Sequence, residues 1–320
     1  MNERAERLPT GSLADDFTRS GSEAAPDGAL VGTALEQASV GEHIRLGADV
    51  VDGEALVPPT RVSLAWRDLA DGLGMFWLWS SLAFQDIRLR YRGSILGPFW
   101  LTITTAIMVT AMGLVYAELF KMNMRQYFPY IACGIVTWNF INVLIVDGCD
   151  SFLSASGVIQ QVKLPFSVQV YRVVLRNLIV LLHNIVIIPV VLLLFGVPIG
   201  FYSLMFLPGL AVMVVNGVWM AILFGMLSAR FRDIPPIIAS LVQIGFFITP
   251  VFWSPELLGR YGFYATLSPF ASALDVIRAP LLGHAYAIAS WPVLGVVTLA
   301  GWSITFAMYA RFRGRLAYWV

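Results

Sequence analysis

Between Arg176 and Arg230 the chain carries no Asp, Glu, Lys or Arg. A helix needs about 20 apolar residues to cross a bilayer, so this run accommodates two crossings. Gly196-Val-Pro-Ile-Gly200 supplies the turn between them. Backbone polar groups in a bilayer must be satisfied internally, which leaves helices or a closed barrel. The apolar runs are continuous rather than alternating, and that selects helices. Composition agrees: hydrophobic residues make up 58% and charged residues 13%, against roughly 25% charged in soluble domains. The net charge of +1 averages two unlike regions. Residues 1–60 hold eleven acids against four arginines, whereas residues 86–320 are basic.

The predicted fold is an all-α integral membrane protein with six spans. They lie at about 96–117, 127–146, 170–195, 201–229, 234–253 and 290–310, within a membrane domain of residues 95–320. Residues 1–59 read as a disordered acidic leader, rich in Gly, Ala, Ser, Asp and Glu and unable to bury much apolar surface. The start, Met1 to Arg7, lacks the apolar core of a secretory signal, so no cleaved segment is expected. Residues 60–94 read as an amphipathic interface segment. Ser63 to Asp71 is expected to form a short helix, and the Trp-rich stretch Leu73–Phe84 to lie in the interface with Trp77 and Trp79 at headgroup depth. Twelve helical residues cover about 18 Å, too short to span.

Orientation follows from the distribution of Lys and Arg. With the leader in the cytoplasm, eleven cations fall inside: Arg88, Arg90, Arg92, Lys163, Arg172, Arg176, Arg230, Arg232, Arg311, Arg313 and Arg315. Four fall outside: Lys121, Arg125, Arg260 and Arg278. Both termini are therefore expected in the cytoplasm. The stretch from Ser254 to Ala289 is too long for a tight turn and too apolar for a solvated loop. It is predicted to be an outer re-entrant helical hairpin before the last span, the alternative being an interfacial helix lying flat. Within it, Asp275 and Arg278 have the i, i+3 spacing of an ion pair.

Charges inside membrane spans are functional candidates. Asp147, Asp150, Arg172 and Arg176 fall near the same ends of the second and third spans, where mutual pairing is expected. His183 and Asn184 suggest an interhelical hydrogen bond. Cys133 and Cys149 sit in apolar stretches and read as buried neutral thiols. With three histidines and no cysteine spacing, no metal site is expected. Neither lysine, Lys121 nor Lys163, sits in a phosphate-binding loop, and H-E-x-x-H and G-x-S-x-G are absent.

The junction Arg88-Leu-Arg-Tyr-Arg-Gly-Ser-Ile-Leu-Gly-Pro-Phe-Trp100 resembles that of the membrane subunits of bacterial ABC exporters for polysaccharides, which include O-antigen, capsule and teichoic acid permeases. Three more stretches are similar in the same order. They are Tyr130-Ile-Ala-Cys-Gly-Ile-Val-Thr-Trp138, Ala229-Arg-Phe-Arg-Asp-Ile234, and Ser268-Pro-Phe with Ile277-Arg-Ala-Pro-Leu-Leu-Gly283. The similarity covers about Arg61 to the C terminus. Lys163-Leu-Pro165 departs from the Lys-x-x-x-Pro spacing of that pattern.

The resemblance implies a transport subunit rather than an enzyme, working as a homodimer with two copies of an ABC ATPase. No cofactor is implied in this chain; ATP and Mg belong to the partner. The implied substrate is a glycan on polyprenyl diphosphate, moved across the bacterial cytoplasmic membrane, with membrane lipid and no nucleic acid as the other surroundings. Arg88, Arg90 and Arg92 are candidates for the diphosphate, or else fix topology and bind anionic headgroups. Tyr116, Tyr130, Trp138, Phe140, Trp219, Phe246, Phe247 and Phe252 are candidate channel aromatics that stack on sugar faces. The loop Asp150–Pro165 carries an apolar stripe at Val158, Ile159 and Val162 beside Lys163, a candidate for docking in a groove of the ATPase. A permease for a small amphiphile shares the six-span plan. A membrane glycosyltransferase would want paired carboxylates or a D-x-D site, and the polar loops offer only scattered acids.

Overall fold

The computed structural model describes residues 60–97, 99–262, 268–283 and 288–320. The predicted leader, residues 1–59, lies outside the described residues. Among the described residues every regular element is helical. The α-helices are α1 (Arg61–Gly74), α2 (Phe76–Arg90), α3 (Phe99–Leu119), α4 (Met124–Cys149), α5 (Ser156–Gln161), α6 (Ser167–Asn184) and α7 (Ile187–Leu194). They continue with α8 (Phe206–Arg230), α9 (Ile234–Ile248), α10 (Pro269–Leu281), α11 (Ser290–Phe312) and α12 (Leu316–Trp319). Short 3-10 turns occupy Leu153–Ala155, Phe201–Met205, Pro255–Tyr261 and Arg313–Arg315.

Five helical segments are long and apolar enough to cross a membrane: Phe99–Leu119, Met124–Cys149, Ser167–Leu194, Phe201–Arg230 and Ser290–Trp319. The predicted fifth span is shorter than expected. It was to run to Trp253, but α9 ends at Ile248 and has 15 residues. Pro250 is the reason. The residue before a proline is pushed out of the helical region, and Thr249 is extended at φ −77, ψ 140. The third span is also interrupted, between Asn184 and Ile187. Pro189 has no N–H to give to the Ile185 carbonyl and crowds it, so Ile188 N donates to Ile185 O instead, at 3.0 Å.

α1 begins at Thr60, whose hydroxyl accepts from Ser63 N at 3.2 Å, the usual satisfaction of an orphan amide at a helix start. The predicted Ser63–Asp71 helix lies within it. The Trp-rich segment is divided at Met75 between α1 and α2, and α2 continues through Arg88 and Arg90.

α4 is the hub. In its spanning window 72% of residues are buried, against 17% in α3 and 22% in α11. It is mostly apolar, as an interior helix must be, and packs on α3, α6, α7, α8, α9 and α10. Small residues permit the closest approaches. A side chain at Gly134 would run into the Val251 carbonyl, and one at Gly301 into the Trp219 indole. α3, by contrast, leaves Ile103, Ile107, Leu114 and Val115 exposed.

Candidate functional site

The helices α1 and α2 are held to the rest of the protein by two carboxylates. Asp68 on α1 is 2% exposed. It accepts from Phe166 N at 3.1 Å and Ser167 N at 3.0 Å, so it caps the start of α6 from another helix. The orphan amides there need such an acceptor. The same carboxylate accepts from Tyr309 Oη at 2.6 Å and from Arg313 Nε at 2.8 Å and Nη2 at 2.6 Å. Ser167 Oγ and Tyr171 Oη donate back to the Asp68 and Leu69 carbonyls. One acid thus ties α1 to the beginning of α6 and the end of α11.

Asp86 on α2 is the second anchor. Arg172 Nε donates to it at 2.7 Å, and Arg176 Nη1 lies 3.4 Å away. Arg176 Nη2 also donates to Asp147 at 2.8 Å, so α2, α4 and α6 share one ionic network. The expected pairing of the second and third spans is present through Arg176 and Asp147. Asp150 stands outside the ion pairs at the end of α4. Burial and the neighbouring Asp147 carboxylate push its carboxyl above the usual carboxylate range, against the opposing pull of Arg176. Among the three junction arginines, Arg90 reaches Asp147 at 4.0 Å. Arg88 and Arg92 are exposed and enter no ion pair among the described residues.

At the other end of α4, Tyr116 stacks near Phe120 and Phe252, with centroids 5.6 and 5.2 Å away. Phe252 neighbours Phe246 at 5.5 Å and Phe247 at 6.4 Å, and Phe246 neighbours Trp138 at 5.7 Å. Five predicted aromatics therefore form one cluster. Tyr130 is held beside it, donating to the Pro250 and Trp253 carbonyls at 3.1 and 2.8 Å. Phe140 and Trp219 lie apart from the cluster and are buried, with Trp219 Nε1 donating to Asn216 Oδ1 at 2.8 Å. The expected Asp275–Arg278 pair is present at 2.6 Å. Arg278 also donates to the Pro250 carbonyl and lies over the Tyr130 ring at 4.1 Å, a cation–π contact.

The predicted docking helix forms as α5 and rests against α12. Its stripe is divided: Val158 and Val162 are exposed, Ile159 packs against the core, and Lys163 is exposed. The thiols of Cys133 and Cys149 are free and buried, as expected. Asn184 accepts from Thr102 on α3 at 3.2 Å, while His183 Nδ1 lies 2.8 Å from Ile179 O in its own helix. Among the described residues no group of His, Cys, Asp and Glu is arranged to hold a metal.

Residues 78–282 match the ABC-2 type transporter family, a stretch running from α2 to the end of α10. The chain belongs to that family. An O-antigen export system permease protein, RfbA, of Klebsiella pneumoniae is 22% identical over 238 residues, covering 71% of this chain and 90% of the relative. A Myxococcus xanthus protein of the same description is 25% identical over 215 residues, covering 64% and 80%.

In this ABC-2 chain the residues missed by sequence reasoning are Asp68, Asp86 and Tyr309. Asp86 had a usable signal. It is the one acid on α2, and Arg172 and Arg176 need counter-charges. Asp68 had none, because its partners are about a hundred and two hundred and forty residues away in sequence.

Proposed function

We propose that this chain is the permease subunit of an ATP-driven exporter that carries a polysaccharide, linked to polyprenyl diphosphate, across the bacterial cytoplasmic membrane. The observation that carries the reading is the family match over residues 78–282 together with relatives described as O-antigen export permeases that align over 90% and 80% of their own length. Energy comes from a separate ABC ATPase, which holds the ATP and Mg. Two copies of this chain pair with two of that ATPase. The exposed α3 face is the kind of surface a second copy covers.

Val158 on α5, with Val162 and Lys163 just after its end, forms the exposed surface that grips the ATPase, and Ile159 seats the helix on the membrane domain. Arg88 and Arg92, which pair with no acid among the described residues, meet the lipid diphosphate, while Arg90 is shared with Asp147. The aromatic cluster of Tyr116, Trp138, Phe246, Phe247 and Phe252 lies toward the outer end and offers rings to sugar faces. Tyr130 positions the Pro250–Trp253 backbone that carries Phe252.

Six crossings are read with α9 as the fifth. The Pro255–Tyr261 turn and α10 then form the re-entrant hairpin. Support comes from the two ends of α10: Phe270 meets Trp138 at 5.6 Å, while Arg278 reaches the Pro250 carbonyl.

The test is deletion of the gene with glycans followed inside the cell and at its surface. Loss of a surface polysaccharide, with its lipid-linked form stranded inside, is expected. Disappearance of the polymer everywhere would point to synthesis, and an unchanged profile to export of a small amphiphile.

A further inference from the structure

A cavity of about 290 Å³ lies among α3, α4 and α6, with Thr104, Thr105, Asn139, Asn142, Asn177 and Asn184 set in an otherwise apolar wall. Its volume is near the lower end of the roughly 300–1,000 Å³ of ligand pockets. All three helices belong to spanning segments, where polar side chains are costly unless something satisfies them. Three of these side chains are used inside the protein. Asn184 accepts from Thr102, Thr104 Oγ1 donates to the Leu101 carbonyl at 2.9 Å, and Asn177 Nδ2 donates to the Val143 carbonyl at 3.0 Å. Other polar atoms of the cavity are left over. Asn177 is 1% exposed, and its Oδ1 has no hydrogen-bond partner. No hydrogen bond among the described residues uses the half-buried amides of Asn139 and Asn142.

The chemistry of the unused groups defines the ligand. A carboxamide offers both a donor and an acceptor, and a hydroxyl matches it on both counts. No charged side chain lines the cavity, so it is not built for a phosphate. Phe140 adds an aromatic wall, which suits the C–H face of a sugar ring. The cavity also lies next to the ionic network: Asn177 follows Arg176, and Val143, the acceptor of Asn177, is one turn from Asp147. A neutral ligand here therefore sits one step deeper than the charges at the arginine-bearing face.

We infer that this cavity is an intramembrane subsite that binds one neutral sugar unit through the amides of Asn139 and Asn142 and the unpartnered Oδ1 of Asn177. The inference rests on the export reading above and locates, within a single copy of the chain, a place where the glycan is held. It is distinct from the aromatic cluster of Tyr116, Trp138, Phe246, Phe247 and Phe252, none of which lines it.

The experiment uses the whole complex in cells, comparing the unaltered permease, the gene deletion, Asn139→Leu/Asn142→Leu and Asn139→Ser/Asn142→Ser. The leucines remove amides that bond nothing in the protein, so membrane levels of the permease should stay unchanged. Surface glycan per permease should fall about 10-fold, the loss of two hydrogen bonds to a bound hydroxyl group. The serine variant, which keeps a donor and an acceptor at each site, should recover part of it. Full export by the leucine variant, in cells where the deletion abolishes export, overturns the subsite and leaves the permease reading standing. A leucine variant that loses protein in proportion to glycan also overturns it, because the amides then serve folding. Hydroxylated phospholipid headgroups share the same chemistry. Lipid mass spectrometry of the purified complex addresses them, and loss of bound phosphatidylglycerol with unchanged export assigns the cavity to lipid and overturns the sugar.

Discussion

Asp68 accepts five hydrogen bonds, two from backbone amides, one from Tyr309 and two from Arg313. Charge-assisted bonds of this kind are roughly twice as strong as neutral ones, and removing one member of a buried pair strands the other. Asp68→Asn keeps the shape and removes the charge, and it should cost about 3 kcal/mol, seen as a lower thermal midpoint in detergent. An unchanged midpoint would mean that the hub contributes no stability. Asp147 and Asp150 make a sharper comparison, since they are three residues apart. Asp147 neutralises Arg176 at 2.8 Å, so Asp147→Asn should destabilise. The Asp150 carboxyl is raised by burial and by Asp147. A raised carboxyl favours the protonated fold, and the stability it gives is full below the unfolded carboxylate range. That stability is lost as pH rises through the raised folded value. At pH 7 the charge on Asp150 is therefore a burden, and Asp150→Asn should be neutral or stabilising. Melting both variants at pH 7 checks the contrast, and equal destabilisation would refute it.

At the scale of elements, legibility tracked how local the physics was. Most spans could be read because about twenty apolar residues in a row suffice to specify one. The early end of α9 depends on a local rule as well, the effect of Pro250 on Thr249, and a closer reading of that dipeptide would have found it. The division of the α5 stripe could not be read. Val158, Ile159 and Val162 are equally apolar in sequence, and only packing against the core separates Ile159 from the other two. That separation changes the mutational test. Val158→Asp leaves the interior untouched and should abolish co-purification of the ATPase, with permease levels normal. Ile159→Asp puts a charge against the core and should reduce the permease itself. Co-purification that survives Val158→Asp would remove α5 from the coupling surface.

At the scale of the molecule, the long-range contacts bear on how many times the chain crosses. Asp68 brings α1, the start of α6 and the end of α11 to one face. Arg176 and Asp147 put the end of α4 there too, and Arg230 lies over the Trp319 ring at 5.7 Å, adding the end of α8. α9 leaves from that face, directly after Arg230. Its far end meets the opposite face, because Tyr127, at the start of α4, donates to the Phe252 carbonyl at 2.5 Å. A helix of 15 residues rises only about 22 Å, short of a 30 Å core, and the turn from Thr249 to Trp253 carries the chain the rest of the way. These contacts support the six crossings proposed above, whereas five full-length spans alone would put the two ends on opposite sides. A reporter fused after Val320 should therefore be active only in the cytoplasm, and one inserted after Met122, between α3 and α4, only outside. If the Val320 fusion reports from outside, the number of crossings is odd and α9 does not cross.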